Sequence, residues 1–326
     1  MSTQPSQDTG WEFAPGQALV PGLLAWTRLG DGPRCETWLA WDVRRWSPAA
    51  VKVPSPATLR SGRGAAALRP ELDAVSGLAH PGIQRLLDTS LEGPLPFLEF
   101  EYVEGPNLED TVEDEGAFHP IDVVLTGMQL TAALGYLHSS GLVHLDVKPA
   151  NVLLRDQRPV LIDFGFTGRV GQPPPRGGVR GTPAWMAPEQ VRRQPAAPGM
   201  DLFALGALLF ELATVEPAFE PADEGTELER WPQCSPDRAA QRRALERAVP
   251  PELAALIGAL LAPDPADRPA NATEVLLALD ETLPEEAAAE RFWPAWATPP
   301  LAARRGAART TLYLGSSAGF DGGDSG

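Results

Sequence analysis

Apolar positions along the chain come first in short runs bounded by turn residues and later at helical spacing. Ordered structure is expected to begin near Ala18 to Trp26. Leu29-Gly30-Asp31-Gly32-Pro33-Arg34-Cys35-Glu36-Thr37-Trp38, continuing to Asp42, puts apolar residues on both sides of a glycine-containing turn, which predicts a β-hairpin. Arg85 to Asp88 and Leu95 to Phe100 predict two more strands. From Ile121 to Ser139 the stripe Leu125, Met128, Leu134 and Leu137 predicts an amphipathic helix, and Gly141 is a stop signal just beyond it. Asp201 to Ala213 is apolar all round, the pattern of a helix buried in a core. Leu253 to Leu261 and Ala272 to Leu279 predict the last two helices. Residues 216–240, rich in Glu, Pro and Arg, predict a surface insertion, while 1–18 and 281–326 read as an unstructured arm and a flexible tail.

The candidate chemistry is concentrated in one stretch. Val143-His144-Leu145-Asp146-Val147-Lys148-Pro149-Ala150-Asn151 precedes the apolar run Val152 to Leu154, and Val160 to Ile162 predicts a strand that delivers Asp163-Phe164-Gly165. Two acids, a lysine and an amide at this spacing suit phosphoryl transfer. That reaction needs a carboxylate to orient a hydroxyl, a cation for the moving phosphate and oxygen ligands for magnesium. Lys52, inside Ala49-Ala50-Val51-Lys52-Val53, needs a buried partner, because an ammonium among apolar neighbours is costly when unpaired.

These residues resemble the protein kinase family, on the side of the bacterial serine/threonine kinases. His144, Asp146, Lys148 and Asn151 match its catalytic loop, and Asp163-Phe164-Gly165 matches its metal-binding motif. Gly181-Thr182-Pro183-Ala184-Trp185-Met186-Ala187-Pro188-Glu189 resembles the segment that closes the activation loop. The resemblance covers about residues 20–280 and implies an α+β, bilobal fold over 19–280. A small lobe, about 19–104, would be a five-stranded antiparallel sheet with one main helix; a mostly helical large lobe would follow over 105–280.

The resemblance also implies residue roles. ATP would lie between the lobes against Leu29, Gly30, Gly32, Thr37, Ala50, Lys52, Glu71 and Leu153, with its adenine on backbone groups of Glu101 and Val103 and Phe100 behind it. Glu71 would be the partner of Lys52. Asp146 would accept the substrate hydroxyl proton, Lys148 would contact the transferred phosphate, and Asn151 and Asp163 would hold Mg²⁺ or Mn²⁺. Thr182 would bridge Asp146 and Lys148, Asp201 would anchor the catalytic loop, and Glu189 would pair with Arg268.

Departures from the family pattern matter too. Cys35 stands at the third glycine of the nucleotide loop and Thr37 where the family has valine, so a looser loop is expected; Cys35 reads as a small apolar filler rather than a redox-sensitive lid. Leu145 replaces the arginine that reads a phosphate on the activation loop, and Phe166 to Trp185 offers only Thr167 and Thr182 as hydroxyl residues. Both absences predict independence from loop phosphorylation. Two alternatives stay open: a nucleotide-binding pseudokinase acting as a scaffold, and a small-molecule phosphotransferase, which the peptide-docking segment disfavours.

Composition narrows the partners. With 27 Lys plus Arg against 43 Asp plus Glu the net charge is −16, which argues against nucleic acid and anionic membranes and for solubility. Two cysteines, no apolar run of membrane-spanning length and no secretory leader predict a cytoplasmic protein. Protein substrates with Ser or Thr acceptors are expected. Arg304-Arg305 and Arg309 before Thr310 and Thr311 make the tail a candidate for self-phosphorylation.

Overall fold

The computed structural model of the protein describes residues 10–174, 181–220, 231–235 and 237–283. The chain begins with β1 (Ala18–Val20), β2 (Leu23–Asp31), β3 (Cys35–Asp42) and β4 (Ser47–Pro54). A short α1 (Pro56–Arg60) leads into α2 (Gly64–Val75), and β5 (Leu86–Ser90) and β6 (Phe97–Glu101) complete the small lobe. Among the described residues the six strands form one antiparallel sheet in the order β1-β2-β3-β4-β6-β5, one strand more than expected, because Ala18–Val20 adds to the edge of β2.

Residues 10–17, assigned from sequence to an unstructured arm, are packed. Trp11 stacks on Phe13 with ring centroids 5.4 Å apart, and Phe13 meets Trp38 edge-on at 5.3 Å. Together they cover a buried cluster that includes Leu23, Ala25, Trp38, Val51 and Val53. Trp11 Nε1 donates to Pro54 O at 2.8 Å, and its backbone N–H to Glu36 Oε1 at 3.0 Å. An indole ring buries a large apolar area while its N–H finds an acceptor, which suffices to hold a segment with no strand of its own.

The large lobe starts with α3 (Leu108–Glu115), capped by Asn107, and α4 (Pro120–Ser139). Gly141, at φ +75°, turns the chain out of α4 into β7 (Leu142–Val143). The hairpin β8 (Val152–Arg155) and β9 (Arg158–Leu161) follows, and then β10 (Gly168–Arg169), which pairs with β7. Beyond come α5 (Pro188–Val191), α6 (Pro198–Thr214), α7 (Ala239–Ala248), α8 (Pro251–Leu260) and α9 (Ala272–Thr282). As its all-round apolar pattern requires, α6 is buried along nearly its whole length. It packs against α4 and α8, and Gly206 makes the approach to α8 possible: a Cβ there would come within 2.6 Å of Leu260 Cβ.

The surface insertion expected at 216–240 needs correction at both ends, residues 221–230 lying outside the described residues. Phe219 is buried and stacks on Phe203 at 5.6 Å, with the Arg238 guanidinium 4.8 Å above its ring. Gln233 is buried as well, and donates to Pro183 O at 2.8 Å. The tail expected from 281, with Thr310 and Thr311, lies outside the described residues except for its first three positions, of which Glu281 and Thr282 end α9.

Candidate active site

Strand pairing puts Lys52 opposite Thr37 on β3 and Leu98 on β6, with its side chain between two carboxylates. Lys52 Nζ lies 2.7 Å from Glu71 Oε2 on α2 and 2.8 Å from Asp163 Oδ1. Burial opposes the charge on Lys52, but the Glu71 and then the Asp163 carboxylate outweigh it and hold its pKa well above the ordinary lysine range. Burial likewise works against ionisation of Asp163, and the Lys52 ammonium overrides it, keeping that carboxyl below its usual value. Glu71 goes the other way: burial raises it, and Lys52 only partly pulls it back. The lysine therefore stays charged, and a charged lysine is what binding to phosphate oxygens needs.

The catalytic loop runs from β7 to a short 3₁₀ turn at Pro149–Asn151. Asp201, on α6 and fully buried, holds the start of the loop. Its carboxylate accepts from the backbone N–H groups of His144 and Leu145 at 2.8 Å each and lies 2.8 Å from His138 Nε2. Such anchoring offsets an unfavourable backbone, since Leu145 sits at φ +68°, in the left-handed region. The His144 ring packs edge-on against Phe164 at 4.9 Å, and its Nδ1 accepts from the Asp146 backbone N–H at 3.3 Å.

Asp146, Lys148 and Asn151 converge as their spacing suggests. Asn151 Nδ2 donates to Asp146 Oδ2 and to Asp146 O, both at 2.9 Å, and Lys148 Nζ lies 3.4 Å from Asp146 Oδ2. Thr182 joins the loop to the activation segment: its hydroxyl accepts from Lys148 Nζ at 2.7 Å and donates to Asp146 Oδ1 at 2.8 Å. With the Asn151 amide hydrogens turned to Asp146, its oxygen remains to ligate a metal, as does the second oxygen of Asp163. Magnesium is bound by one or two such hard oxygen donors plus substrate phosphates, so this donor set fits it.

Beneath the β2–β3 hairpin a cavity of about 490 Å³ is lined by Leu29, Gly30, Gly32, Thr37, Ala50, Lys52, Glu71, Val103, Asn151, Leu153 and Asp163. Its size is that of a nucleotide-class ligand site. Glu101 is the exception among the expected residues. It lies outside the lining, and its carbonyl already accepts from Gln84 Nε2 at 2.9 Å. A carbonyl has two lone pairs, so adenine would share this acceptor rather than own it. Gln84 lines the cavity and carried no motif by which sequence could have singled it out. Cys35 lines it too. Burial pushes its thiol up to about 11 against the pull of Lys52, which keeps it protonated and fits the filler reading. The hairpin itself is formed, with Gly30 paired to Thr37.

The segment after the loop is tied down by a buried ion pair. Arg268 Nη1 and Nη2 donate to Glu189 Oε1 and Oε2 at 2.6 and 2.9 Å. Nearby, Trp185 Nε1 donates to Glu211 Oε2 at 3.1 Å. Burial pushes Glu211 up to about 7 against that hydrogen bond, and the Glu109 and Glu113 carboxylates add to the rise. A carboxyl whose folded pKa exceeds its unfolded value of 4.5 contributes stability that is present below 4.5 and lost as pH rises to about 7. Glu211→Gln keeps an acceptor for Trp185 and removes that loss. Melting temperatures are therefore expected to show the variant more stable than the parent at pH 8, and the gap to close at pH 4.5; a parent equal or superior at pH 8 would contradict this.

Two lobes around a cavity, a lysine pinned by a helix glutamate and a second acid, and a loop aspartate oriented by asparagine and lysine define a protein kinase domain. The chain belongs to that family: the protein kinase domain model matches residues 25–278. It is 33% identical over 199 residues to the serine/threonine-protein kinase PknB of Mycobacterium leprae, a match covering 59% of this chain and 32% of that protein. It is 37% identical over 151 residues to the serine/threonine-protein kinase PkaA of Streptomyces coelicolor, covering 44% and 27%. The matched region thus spans about a third of the length of PknB. Among the described residues no helix is long and apolar enough to cross a membrane.

Proposed function

We propose that the protein is a serine/threonine protein kinase that transfers the γ-phosphate of ATP to Ser or Thr hydroxyls of proteins and acts in the cytoplasm. The observation that carries this reading is Lys52 held between Glu71 and Asp163 beside an intact Asp146–Lys148–Asn151 loop. In this reading Lys52 binds the nucleotide phosphates, and Asp163 and the Asn151 oxygen hold Mg²⁺ or Mn²⁺. The metal would neutralise charge on the phosphates and align them. Asp146 orients the acceptor hydroxyl and receives its proton, while Lys148 meets the transferred phosphoryl group. Leu29 and Leu153, which line the cavity, would give the adenine apolar contacts. Thr310 and Thr311 are proposed as self-phosphorylation sites, and nucleic acid is not a proposed partner.

Activity is proposed not to depend on a phosphorylated activation loop. Leu145 offers no guanidinium, and of the two hydroxyl residues between Phe166 and Trp185, Thr182 is hydrogen-bonded to Asp146 and Lys148 and Thr167 is buried. Purified protein treated with phosphatase and assayed on a Ser/Thr peptide is expected to keep its full initial rate. A rate that collapses after treatment and returns on rephosphorylation would overturn the proposal.

A further inference from the structure

In the wall of the cavity beneath the β2–β3 hairpin, one polar side chain is left over from the roles assigned above. Gln84, shortly before β5, is 9% exposed and lines the cavity together with Phe100 and Ile162. Its backbone N–H donates to Leu161 O at 3.0 Å, which fixes the root of the side chain. Its Nε2 donates to Glu101 O at 2.9 Å. A carbonyl only accepts, so the amide must turn its NH₂ to Glu101 and leave its oxygen for another partner. That oxygen, Oε1, accepts no hydrogen bond among the described residues. A buried amide with an unfilled acceptor in the wall of a ligand cavity calls for a donor from outside the protein.

We propose that Gln84 selects the base of the nucleotide, its Oε1 accepting a hydrogen from the 6-amino group of adenine. That amino group has two hydrogens to place. Glu101 O has one lone pair left and its residue lies outside the lining, whereas Gln84 is part of it. Gln84 thus supplies the acceptor that the Glu101 carbonyl offers only in part. A purine with an oxygen at C6 would bring a third acceptor against these two, and a purine with only hydrogen there would leave Oε1 unfilled. Sites built to hydrogen-bond a substrate N–H discriminate strongly against analogues that lack it. The cavity is therefore specific for adenine nucleotides over 6-oxo and 6-unsubstituted purine nucleotides. This deepens the kinase reading, and rests on it in taking the cavity as the ATP site.

Calorimetry on the full chain with Mg²⁺ tests it. The probes are ADP, inosine 5′-diphosphate, which has an oxygen at C6, and purine riboside 5′-diphosphate, which is ADP without its 6-amino group. ADP is expected to bind at least about tenfold tighter than either. Gln84→Met, which keeps the length and removes both polar atoms, is expected to lower ADP affinity at least about fivefold and to leave that of purine riboside diphosphate within about twofold. Gln84→Asn, which draws the amide back by one methylene, is expected to lose the same preference and decides the matter if the methionine variant does not fold. Equal binding of ADP and purine riboside diphosphate by the parent, inosine diphosphate bound as tightly as ADP, or an undiminished preference for ADP in a folded variant would overturn the proposal. Binding is read without phosphoryl transfer. Binding of every probe without discrimination therefore removes this inference alone, whereas binding of none removes it together with the ATP-site reading.

Discussion

Asp146→Asn is expected to lower the turnover of peptide phosphorylation by about 10²–10⁴-fold, the range lost with a positioned general base, while ATP affinity stays unchanged. The hydrogen-bond pattern explains why an isosteric change is so costly. Asp146 Oδ1 accepts from Thr182, and Oδ2 accepts from Asn151 with Lys148 close by. A carboxamide can accept on one side only. If its oxygen faces Asn151, its NH₂ faces the Thr182 hydroxyl, which must then find a new acceptor for its own proton. No carboxylate remains to orient the substrate hydroxyl or take its proton. Because Asp146 lies outside the cavity lining, nucleotide binding measured by calorimetry should be preserved. A turnover within about threefold of the parent, set against that range, would mean that Asp146 does not perform the assigned step.

Arg268→Ala is expected to destabilise the fold by about 3–5 kcal/mol, the cost of stranding one member of a buried pair. Arg268 is 5% exposed and Glu189 4%. Besides its two bonds to Glu189, the guanidinium donates to Ala262 O and Gly199 O at 2.8 Å each and lies 4.9 Å over the Phe203 ring. Removing it leaves a buried carboxylate and two carbonyls without their donor. Denaturant unfolding reads the loss directly. The double variant Glu189→Met, Arg268→Met separates the stranded charge from the pair's own value: it should recover much of the stability, since apolar replacements of a buried pair are often neutral or better. A single variant unfolding within about 1 kcal/mol of the parent would contradict the assigned burial and pairing.

What was legible in the sequence was whatever is close along the chain or carried by a family motif. The lysine, the loop and Asp163 could be placed because backbone spacing alone brings Asp146, Lys148 and Asn151 together, and a lysine in an apolar strand announces that it needs a partner. Helix α4 followed from its apolar periodicity and α6 from being apolar all round. The features that were missed depend on contacts between distant segments. Trp11 and Phe13 stand among polar residues with no period, and only Trp38 shows why they are apolar. Phe219 and Gln233 sat in a stretch whose charge suggested a surface, yet Phe203 and Pro183 draw them inward. The Gln84 contact to Glu101 and the unpaired hydroxyl of Thr167 likewise have no local signature.

The most direct measurement incubates the purified chain with γ-labelled ATP and Mg²⁺ or Mn²⁺, beside an Asp163→Asn variant, and locates the label by mass spectrometry. The account predicts metal-dependent phosphoserine or phosphothreonine in the parent and none in the variant. A folded parent that binds ATP with the metal and transfers no label, to itself or to any Ser/Thr peptide, would contradict it and leave a nucleotide-binding scaffold in its place.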